Sequence, residues 1–251
     1  MKDKDYIDPI IANNLWEPLP PMKQVTTDRG RWYELDDEAY YSVTTIIQAA
    51  KTVGAKRAIE DWKRAEIKAG RDPERYSRDG DAMHALIEYY YQRAYELPPL
   101  EMCKGRPYQL FQQYKEGYLD RVHVIPHIIE GRVYNEIDGM RYAGTIDLVA
   151  TIQEEPGGPK QLALIDHKSI SEIKNASSKR KGYIPQLAAY AKAIKDRYGK
   201  TIDVAILNFA STKSFKSYKI DMSEILEQWD QFYYKMVSFY EKGEFPDVGQ
   251  V

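Results

Sequence analysis

Two aspartates and a lysine, each close to the end of an apolar run, are the residues of this chain most suited to chemistry. Asp147 lies in the run at 142–148, and Asp166 and Lys168 follow the apolar residues 162–165. A carboxylate at a strand end is a fixed oxygen ligand, and two of them on neighbouring strands can bind Mg²⁺ or Mn²⁺ while leaving positions for water and a phosphate. The pattern therefore predicts a divalent-metal site that hydrolyses phosphodiester bonds.

The spacing within Asp166-His167-Lys168 separates the three side chains. Successive residues of a strand point to opposite faces, so Asp166 and Lys168 share one face and His167 points to the other. Asp147 on the neighbouring strand can reach Asp166 across the pair. Lys168 beside a metal ion can orient or deprotonate the attacking water, or neutralise developing charge. A plain salt bridge to Lys168 is the alternative, because an unpaired buried carboxylate is costly.

The elements that must position these residues begin with helices. Ser42 can cap a short helix. Met83, Leu86 and Ile87 recur at helical spacing, and Pro98-Pro99 ends that helix. The predicted helices in this half of the chain cover about residues 42–50, 55–69, 79–96 and 107–121.

After residue 123 the hydrophobic period changes to the alternation of strands. Asp138-Gly139 is a strong signal for a hairpin turn. A basic polar loop is expected between Lys168 and the next helix. The predicted strands cover about residues 127–134, 141–152, 161–168, 202–210 and 215–220, and the helices 184–198 and 223–242. This order predicts an α/β fold in which helices flank a mixed central sheet, with an added N-terminal helical region.

The combination of Asp147, Asp166-His167-Lys168 and the downstream Gln186 and Tyr190 resembles the PD-(D/E)xK nuclease superfamily, in its RecB-like exonuclease branch. The resemblance covers roughly residues 40–210 and implies the restriction-endonuclease-like core. It implies that Asp147, Asp166 and Lys168 are catalytic. Gln186 would contact the substrate backbone or a water, and Tyr190 would contact DNA by stacking or hydrogen bonding.

The same branch has a G-x-x-x-H motif on an upstream helix that supplies another metal ligand. Gly80-Asp81-Ala82-Met83-His84 fits it, which makes His84 a candidate ligand, with Glu88 one turn later on the same face. The backbone carbonyl of His167 completes the implied metal shell. The glutamate expected upstream of Asp147 is either Glu130, which has the better strand context, or Glu136, which is nearer the turn.

A closer resemblance is to the mitochondrial genome maintenance exonuclease group and its phage relatives. Ser42-Val43-Thr44-Thr45-Ile46, Trp62 and Lys174 carry it, together with the motifs above. Members of that group need a divalent metal and cut single-stranded DNA from free ends. The resemblance implies that Ser42 and Thr44 contact DNA. Basic residues beside the cleavage site could guide phosphates: Lys174, Lys179, Arg180 and Lys181. Lys56, Arg57, Lys63 and Arg64 are a second, weaker basic patch.

Composition limits the other possibilities. The formal net charge is −2, so contacts with phosphates must come from local basic patches. The single Cys103 excludes an internal disulfide framework and a four-cysteine iron–sulfur cluster. The chain contains no apolar run long enough for a membrane span. The charged start Met1-Lys2-Asp3-Lys4-Asp5 resembles neither a secretory signal nor a presequence. We therefore expect a cytoplasmic protein of a bacterium or a phage-infected cell.

The sequence thus predicts an N-terminal arm over residues 1–39 and a single nuclease domain over 40–251. That domain would have a helical part (40–123), a catalytic sheet (124–220) and a C-terminal helix (221–251). The expected function is a Mg²⁺- or Mn²⁺-dependent exonuclease on single-stranded DNA in replication, recombination or repair, beside a helicase, polymerase or single-strand-binding protein. The alternatives are an endonuclease specific for flaps or branches and a non-catalytic DNA-binding recombination accessory protein.

Overall fold

A computed structural model describes residues 22–27 and 30–243. In this described part of the chain, eight strands form one sheet, and six α-helices pack on it or extend from it. The strands are β1 (Lys23–Thr27), β2 (Gly30–Leu35), β3 (Glu38–Ser42), β4 (His123–Ile137), β5 (Met140–Gln153), β6 (Gln161–Ser169), β7 (Val204–Ala210) and β8 (Phe215–Asp221). The helices are α1 (Val43–Ala49), α2 (Val53–Lys68), α3 (Arg75–Gln92), α4 (Gly105–Tyr114), α5 (Ala176–Tyr198) and α6 (Met222–Lys242).

The sheet is mixed, as predicted, and it opens beside β5. β4 pairs with β5 along nearly its whole length, through the hairpin turn at Asp138-Gly139, where both residues have positive φ. The other edge of β5 pairs with two different strands. β3 pairs in parallel with Tyr142 and Ala143, whereas β6 pairs antiparallel with residues 148–152. Residues 144–147 pair with neither β3 nor β6, so Asp147 lies where the sheet forks.

Alternation along the central strands builds a core on each face of the sheet. In β7, for example, Ala205, Leu207 and Phe209 belong to the core formed with α1, α5 and α6. Val204 and Ile206 belong to the opposite core, formed with α3 and α4. Strands buried on both faces read as near-continuous apolar runs, which is the pattern of β7, where Asn208 is the one polar residue. The α/β class predicted from the sequence is therefore observed.

The sheet begins earlier in the chain than the predicted arm allows. β1, β2 and β3 form an antiparallel meander that joins the sheet through β3. Residues 23–27, 30–35 and 38–39 are therefore part of the sheet, whereas residues 1–21 and 28–29 of the predicted arm lie outside the described part of the chain. β1 is mostly exposed and lacks apolar alternation, so no periodicity in the sequence reveals it. Its backbone pairing with β2 defines it as a strand.

The basic loop expected after Lys168 is also largely helical. After a short 3₁₀ turn at Ile173–Asn175, α5 begins at Ala176 and contains Pro185 in its interior. The sequence predicts a start near 184, after a basic polar loop, and Gly182 and Pro185 disfavour a helix that begins earlier. Burial of Ala176, Ile184 and Leu187 on the sheet outweighs that local preference.

Within residues 22–27 and 30–243, none of the helices has both the length and the apolar character that crossing a bilayer demands.

Candidate metal centre

Three side chains from three elements meet where the sheet forks. His84 comes from α3, Glu130 from β4 and Asp147 from β5. Each offers one nitrogen or oxygen atom, and these atoms lie within 4.8 Å of one another. Ligands of one Mg²⁺ or Mn²⁺ ion bind at about 2.0–2.2 Å, so opposite ligands are about 4 Å apart. The three residues therefore fit one divalent ion with only small shifts.

The β4–β5 hairpin places Glu130 directly opposite Asp147. The neighbouring pairs are Ile129 with Leu148 and Gly131 with Ile146. Directly opposed residues of an antiparallel pair project to the same face, which brings the two carboxylates together. Glu130 has φ of 47°, the left-handed region that side chains other than glycine rarely adopt. Strained backbone of this kind is concentrated at functional sites.

His84 connects this carboxylate pair to the end of β6. Its Nδ1 lies 3.1 Å from Glu130 Oε1 and 3.6 Å from Asp147 Oδ1, and its Nε2 lies 2.9 Å from the carbonyl oxygen of His167. Burial disfavours the charged ring, but Asp147 and Glu130 outweigh it and raise the pKa of His84 to about 9. In the metal-free protein both ring nitrogens are therefore donors at neutral pH.

Gly80 explains the close approach of α3 to the end of β6. A Cβ atom at Gly80 would lie 3.0 Å from the hydroxyl oxygen of Ser169, a distance that forces the neighbour to move. The absence of a side chain at Gly80 thus lets the helix that carries His84 pack next to the strand that carries Asp166 and Lys168.

Asp166 and Lys168 form the ion pair that the sequence left open as an alternative. Lys168 Nζ lies 2.8 Å from Oδ1 and 2.7 Å from Oδ2 of Asp166. Burial and the nearby charge of Asp147 raise the pKa of Asp166 to about 6, although Lys168 opposes that shift. Burial lowers the pKa of Lys168, but the two aspartates outweigh it and raise the value. Lys168 also lies over the ring of Tyr183, 5.1 Å from its centroid.

Gln186 and Tyr190 support Asp166 from α5. Gln186 Nε2 lies 3.5 Å from Asp166 Oδ1 and 3.2 Å from the hydroxyl oxygen of Tyr190. Tyr190 is only 3% exposed, so it has no open face for a stacked base, and hydrogen bonding is the role its position favours. A Cβ atom at Gly144 would lie 2.5 Å from the Tyr190 hydroxyl, which explains the glycine in Tyr142-Ala143-Gly144-Thr145.

His167 presents its backbone, and not its ring, to the centre. Its N–H donates to Asp147 Oδ2 at 2.6 Å, and its carbonyl oxygen contacts His84. The ring lies on the other side of the strand as predicted, packed edge-on against Tyr114 at 4.6 Å between centroids. Burial keeps the pKa of the His167 ring well below its usual value, so the ring is neutral.

The two acidic alternatives lie away from the centre. Glu88 accepts a hydrogen bond from Gln92 at 2.7 Å and does not line the cavity above the site. Glu136 pairs with Arg141 at 2.9 Å near the hairpin turn. Of the two glutamates that the sequence left open, Glu130 is the one beside Asp147.

The predicted DNA contacts of the first helix differ in position. Ser42 is fully buried, and its hydroxyl lies 2.8 Å from that of Thr44. Ser42 therefore holds Thr44 by a hydrogen bond and does not face solvent. Its position does not suit the DNA contact that the sequence predicts for it. Thr44 lines the cavity above the metal centre.

The basic residues predicted to guide the strand lie outside this cavity. Lys179, Arg180 and Lys181 are on the first turns of α5, and Lys174 is on the preceding 3₁₀ turn. None of the four lines the cavity. Arg180 is bound to both carboxylate oxygens of Glu224, at 2.5 and 2.6 Å, and Lys174 to Glu172 at 2.8 Å.

Several residues that line this cavity were not predicted from the sequence. The volume of the cavity is about 640 Å³. Arg31 from β2 and Arg132 from β4 supply positive charge, and Tyr76 and Ser77 from α3 form part of its wall. An isolated arginine has no sequence pattern that marks it as part of a site. Arg31 reaches the metal centre because β2 pairs with β3, and Arg132 reaches it because β4 pairs with β5.

Three comparisons with known proteins bear on the family of this chain. Comparison with the curated proteins gives no match. A solved structure titled "Crystal structure of SSO0001" is similar over 61% of this chain and 73% of its own, with 14% identity and a TM-score of 0.30. The sequence pattern that defines the PD-(D/E)XK nuclease superfamily matches residues 57–250. This chain belongs to the PD-(D/E)XK nuclease superfamily.

Proposed function

We propose that this nuclease is a Mg²⁺- or Mn²⁺-dependent exonuclease that degrades single-stranded DNA from free ends. The observation that carries the proposal is the convergence of His84, Glu130 and Asp147 beside the Asp166–Lys168 pair in an open cavity. The motifs described above support an assignment to the RecB-like branch, near the mitochondrial genome maintenance exonucleases. Replication, recombination and repair are the processes that expose such ends.

His84, Glu130 and Asp147 would hold the ion, with Asp166 and the carbonyl of His167 at its border. A bound divalent ion supplies positive charge that stabilises the transition state of phosphodiester hydrolysis. Before metal binds, Lys168 is the cation that neutralises Asp166. Once metal shares that role, the ammonium of Lys168 can turn to the attacking water or the phosphate oxygens.

Gln186 and Tyr190 have a positioning role in this proposal. The Gln186 amide links Asp166 to the Tyr190 hydroxyl, so the carboxylate keeps its orientation when Lys168 moves. Tyr183 under the Lys168 ammonium limits where that side chain can go. Both effects preserve the geometry of the reacting groups, on which catalytic rate depends steeply.

The size of the cavity favours a single strand. A volume of about 640 Å³ is within the range of small-molecule sites, about 300–1,000 Å³. It therefore accommodates a nucleotide or two of one strand. A duplex would have to present both strands at the same place.

The test is a digest of single-stranded DNA labelled at the 5′ or the 3′ end, with Mg²⁺, with Mn²⁺ and with EDTA. We expect stepwise products from linear DNA, no cutting in EDTA and an intact circular single strand. Cutting of the circle would indicate an endonuclease. Metal-independent binding without cutting would indicate an accessory protein.

The same digest is then carried out with the Lys168→Ala variant. We expect it to lose at least about a hundredfold in kcat, because Lys168 is the only ammonium among the described residues that line the cavity and removing one preorganised electrostatic donor costs about 10²–10³-fold. Circular dichroism should show that the fold is unchanged. Wild-type activity in this variant would exclude the proposed mechanism.

A further inference from the structure

A second cavity adjoins the metal centre on the side of the β1–β2–β3 meander. Its volume is about 700 Å³, and it is bounded by the meander, α1 and α2. Arg31 and Thr44 line both this cavity and the metal cavity. The two spaces therefore meet at these residues, and a flexible chain bound in one can continue into the other.

The lining of the second cavity has the chemistry of an anion site. Its cations are Arg31, Lys56 and Lys63, and its neutral donors include Gln48 and four threonine hydroxyls. None of the described residues that line it carries a carboxylate. Lys63 is bound to Glu74 at 2.7 Å, which leaves Arg31 and Lys56 as its main positive charges.

The metal cavity differs in charge from its neighbour. Its lining includes the carboxylates of Asp81, Glu130 and Asp147, which attract a cation. A DNA strand needs metal at the bond that is cut and positive side chains along the phosphates that are not cut. The metal cavity has carboxylates that can hold an ion, and the second cavity has cations but no carboxylate among its described lining residues, so the two adjoining cavities meet both needs.

Arg31 is held at the junction by the start of α1. Its Nη2 donates to Thr44 Oγ1 at 3.2 Å, and its backbone N–H donates to Thr45 Oγ1 at 2.9 Å. Gly30 has φ of 144°, and a Cβ there would lie 2.7 Å from the Thr45 methyl. Among the ion pairs of the described residues, none involves Arg31, so its charge is available to a phosphate. A guanidinium fixed in this way loses little entropy on binding one.

We infer that the second cavity binds the phosphates of the DNA strand next to the scissile one, with Arg31 at the junction and Lys56 further along. This inference rests on the proposed nuclease function and gives the strand its path. α2 is the element that makes it testable, because Glu66 is the only buried residue of that helix. Substitutions on its exposed surface leave the core intact.

The test compares Lys56→Ala with Lys68→Ala, an exposed lysine of the same helix that lines neither cavity. A 20-nucleotide thymidine strand spans both cavities, whereas thymidine 5′-(p-nitrophenyl) phosphate reaches only the metal centre. With Mn²⁺ we expect Lys56→Ala to raise KM for the long strand about tenfold and to leave the ratio kcat/KM for the short ester within twofold. Lys68→Ala should match the wild type on both substrates.

Binding gives a readout that does not depend on cutting. Anisotropy of the labelled 20-nucleotide strand with Ca²⁺ in place of Mn²⁺ measures affinity as a function of salt. Each lost phosphate contact on a single strand reduces the slope of log K against log[salt] by about 0.7. We expect that reduction in Lys56→Ala and in Arg31→Gln, and the wild-type slope in Lys68→Ala.

The inference fails if Lys56→Ala binds and cuts the long strand like the wild type, or if it impairs the short ester equally. If the wild type cuts neither substrate, the nuclease proposal fails by itself. The salt slopes then still decide whether the second cavity binds the strand.

Discussion

Glu130 combines the position of a candidate metal ligand with a backbone conformation that its side chain disfavours. Its φ of 47° costs about 1 kcal/mol relative to residues that tolerate the left-handed region, and asparagine tolerates it better than other side chains except glycine. The carboxylate is retained at this strained position beside His84 and Asp147. Backbone strain and metal binding can therefore be separated by substitution.

Glu130→Asn and Glu130→Gln both remove the charge, but only asparagine relieves the backbone. We expect the free energy of unfolding in EDTA to be higher for Asn than for Gln by about 0.5–1 kcal/mol, as measured by urea denaturation. Both should bind Mn²⁺ at least tenfold more weakly in calorimetry. The same pair at Glu136, which lacks positive φ and lies away from the centre, should show neither effect. Equal stability of the two Glu130 variants would show that φ is not strained.

As the proposed metal ligand, His84 should make metal binding depend on pH. Its pKa of about 9 in the metal-free protein means that the ring is charged at neutral pH, and a metal ion binds only the neutral ring. Each ion bound below pH 9 must therefore displace one proton. Mn²⁺ affinity should rise about tenfold per pH unit between pH 7 and 8.5, which is 1.4 kcal/mol per unit.

Calorimetry in two buffers of different ionisation enthalpy counts the released protons. We expect about one per Mn²⁺ ion at pH 7.5 for the wild type and close to none for His84→Gln, whose affinity is lower but nearly independent of pH. Release of no proton by the wild type would mean that His84 is not a ligand or that its ring is already neutral.

The helices and strands that were predicted most accurately are those that carry a signal of their own in the sequence. Asp138-Gly139 marks the β4–β5 hairpin in the sequence, and a run whose only polar residue is Asn208 marks β7. β1 has neither signal, because an exposed edge strand is held by backbone pairing alone. The first turns of α5 were missed because the helix contains Gly182 and Pro185, whose local preferences are overruled by packing on the sheet.

The residues of the candidate site also fall into two groups, those that belong to a sequence motif and those that belong to none. His84, Asp147, Asp166, Lys168 and Gln186 lie in short motifs with fixed spacing, and the structure brings all of them to one cavity or its border. Arg31 and Arg132 belong to no motif. The reason for the glycines at 80 and 144 is also invisible in the sequence, because Ser169 and Tyr190 approach them from distant parts of the chain.

The candidate metal ligands come from α3, β4 and β5 and meet where the sheet forks, so metal should stabilise the entire fold. A ligand that binds only the folded state adds about 2.7 kcal/mol at a concentration of 100 Kd. For a domain of this size each kcal/mol raises Tm by about 2–4 °C. Saturating Mn²⁺ should therefore raise the Tm of the wild type by about 5–10 °C relative to EDTA.

Asp147→Asn is the matched control, because its side chain keeps an oxygen for the N–H of His167 while losing the charge that binds metal. In EDTA this variant should melt within a few degrees of the wild type, and Mn²⁺ should leave its Tm nearly unchanged in a calorimetric scan. An equal rise in both proteins would place the stabilising ion elsewhere on the surface. Lys56→Ala should keep the full rise, since the second cavity binds the strand and takes no part in holding the metal.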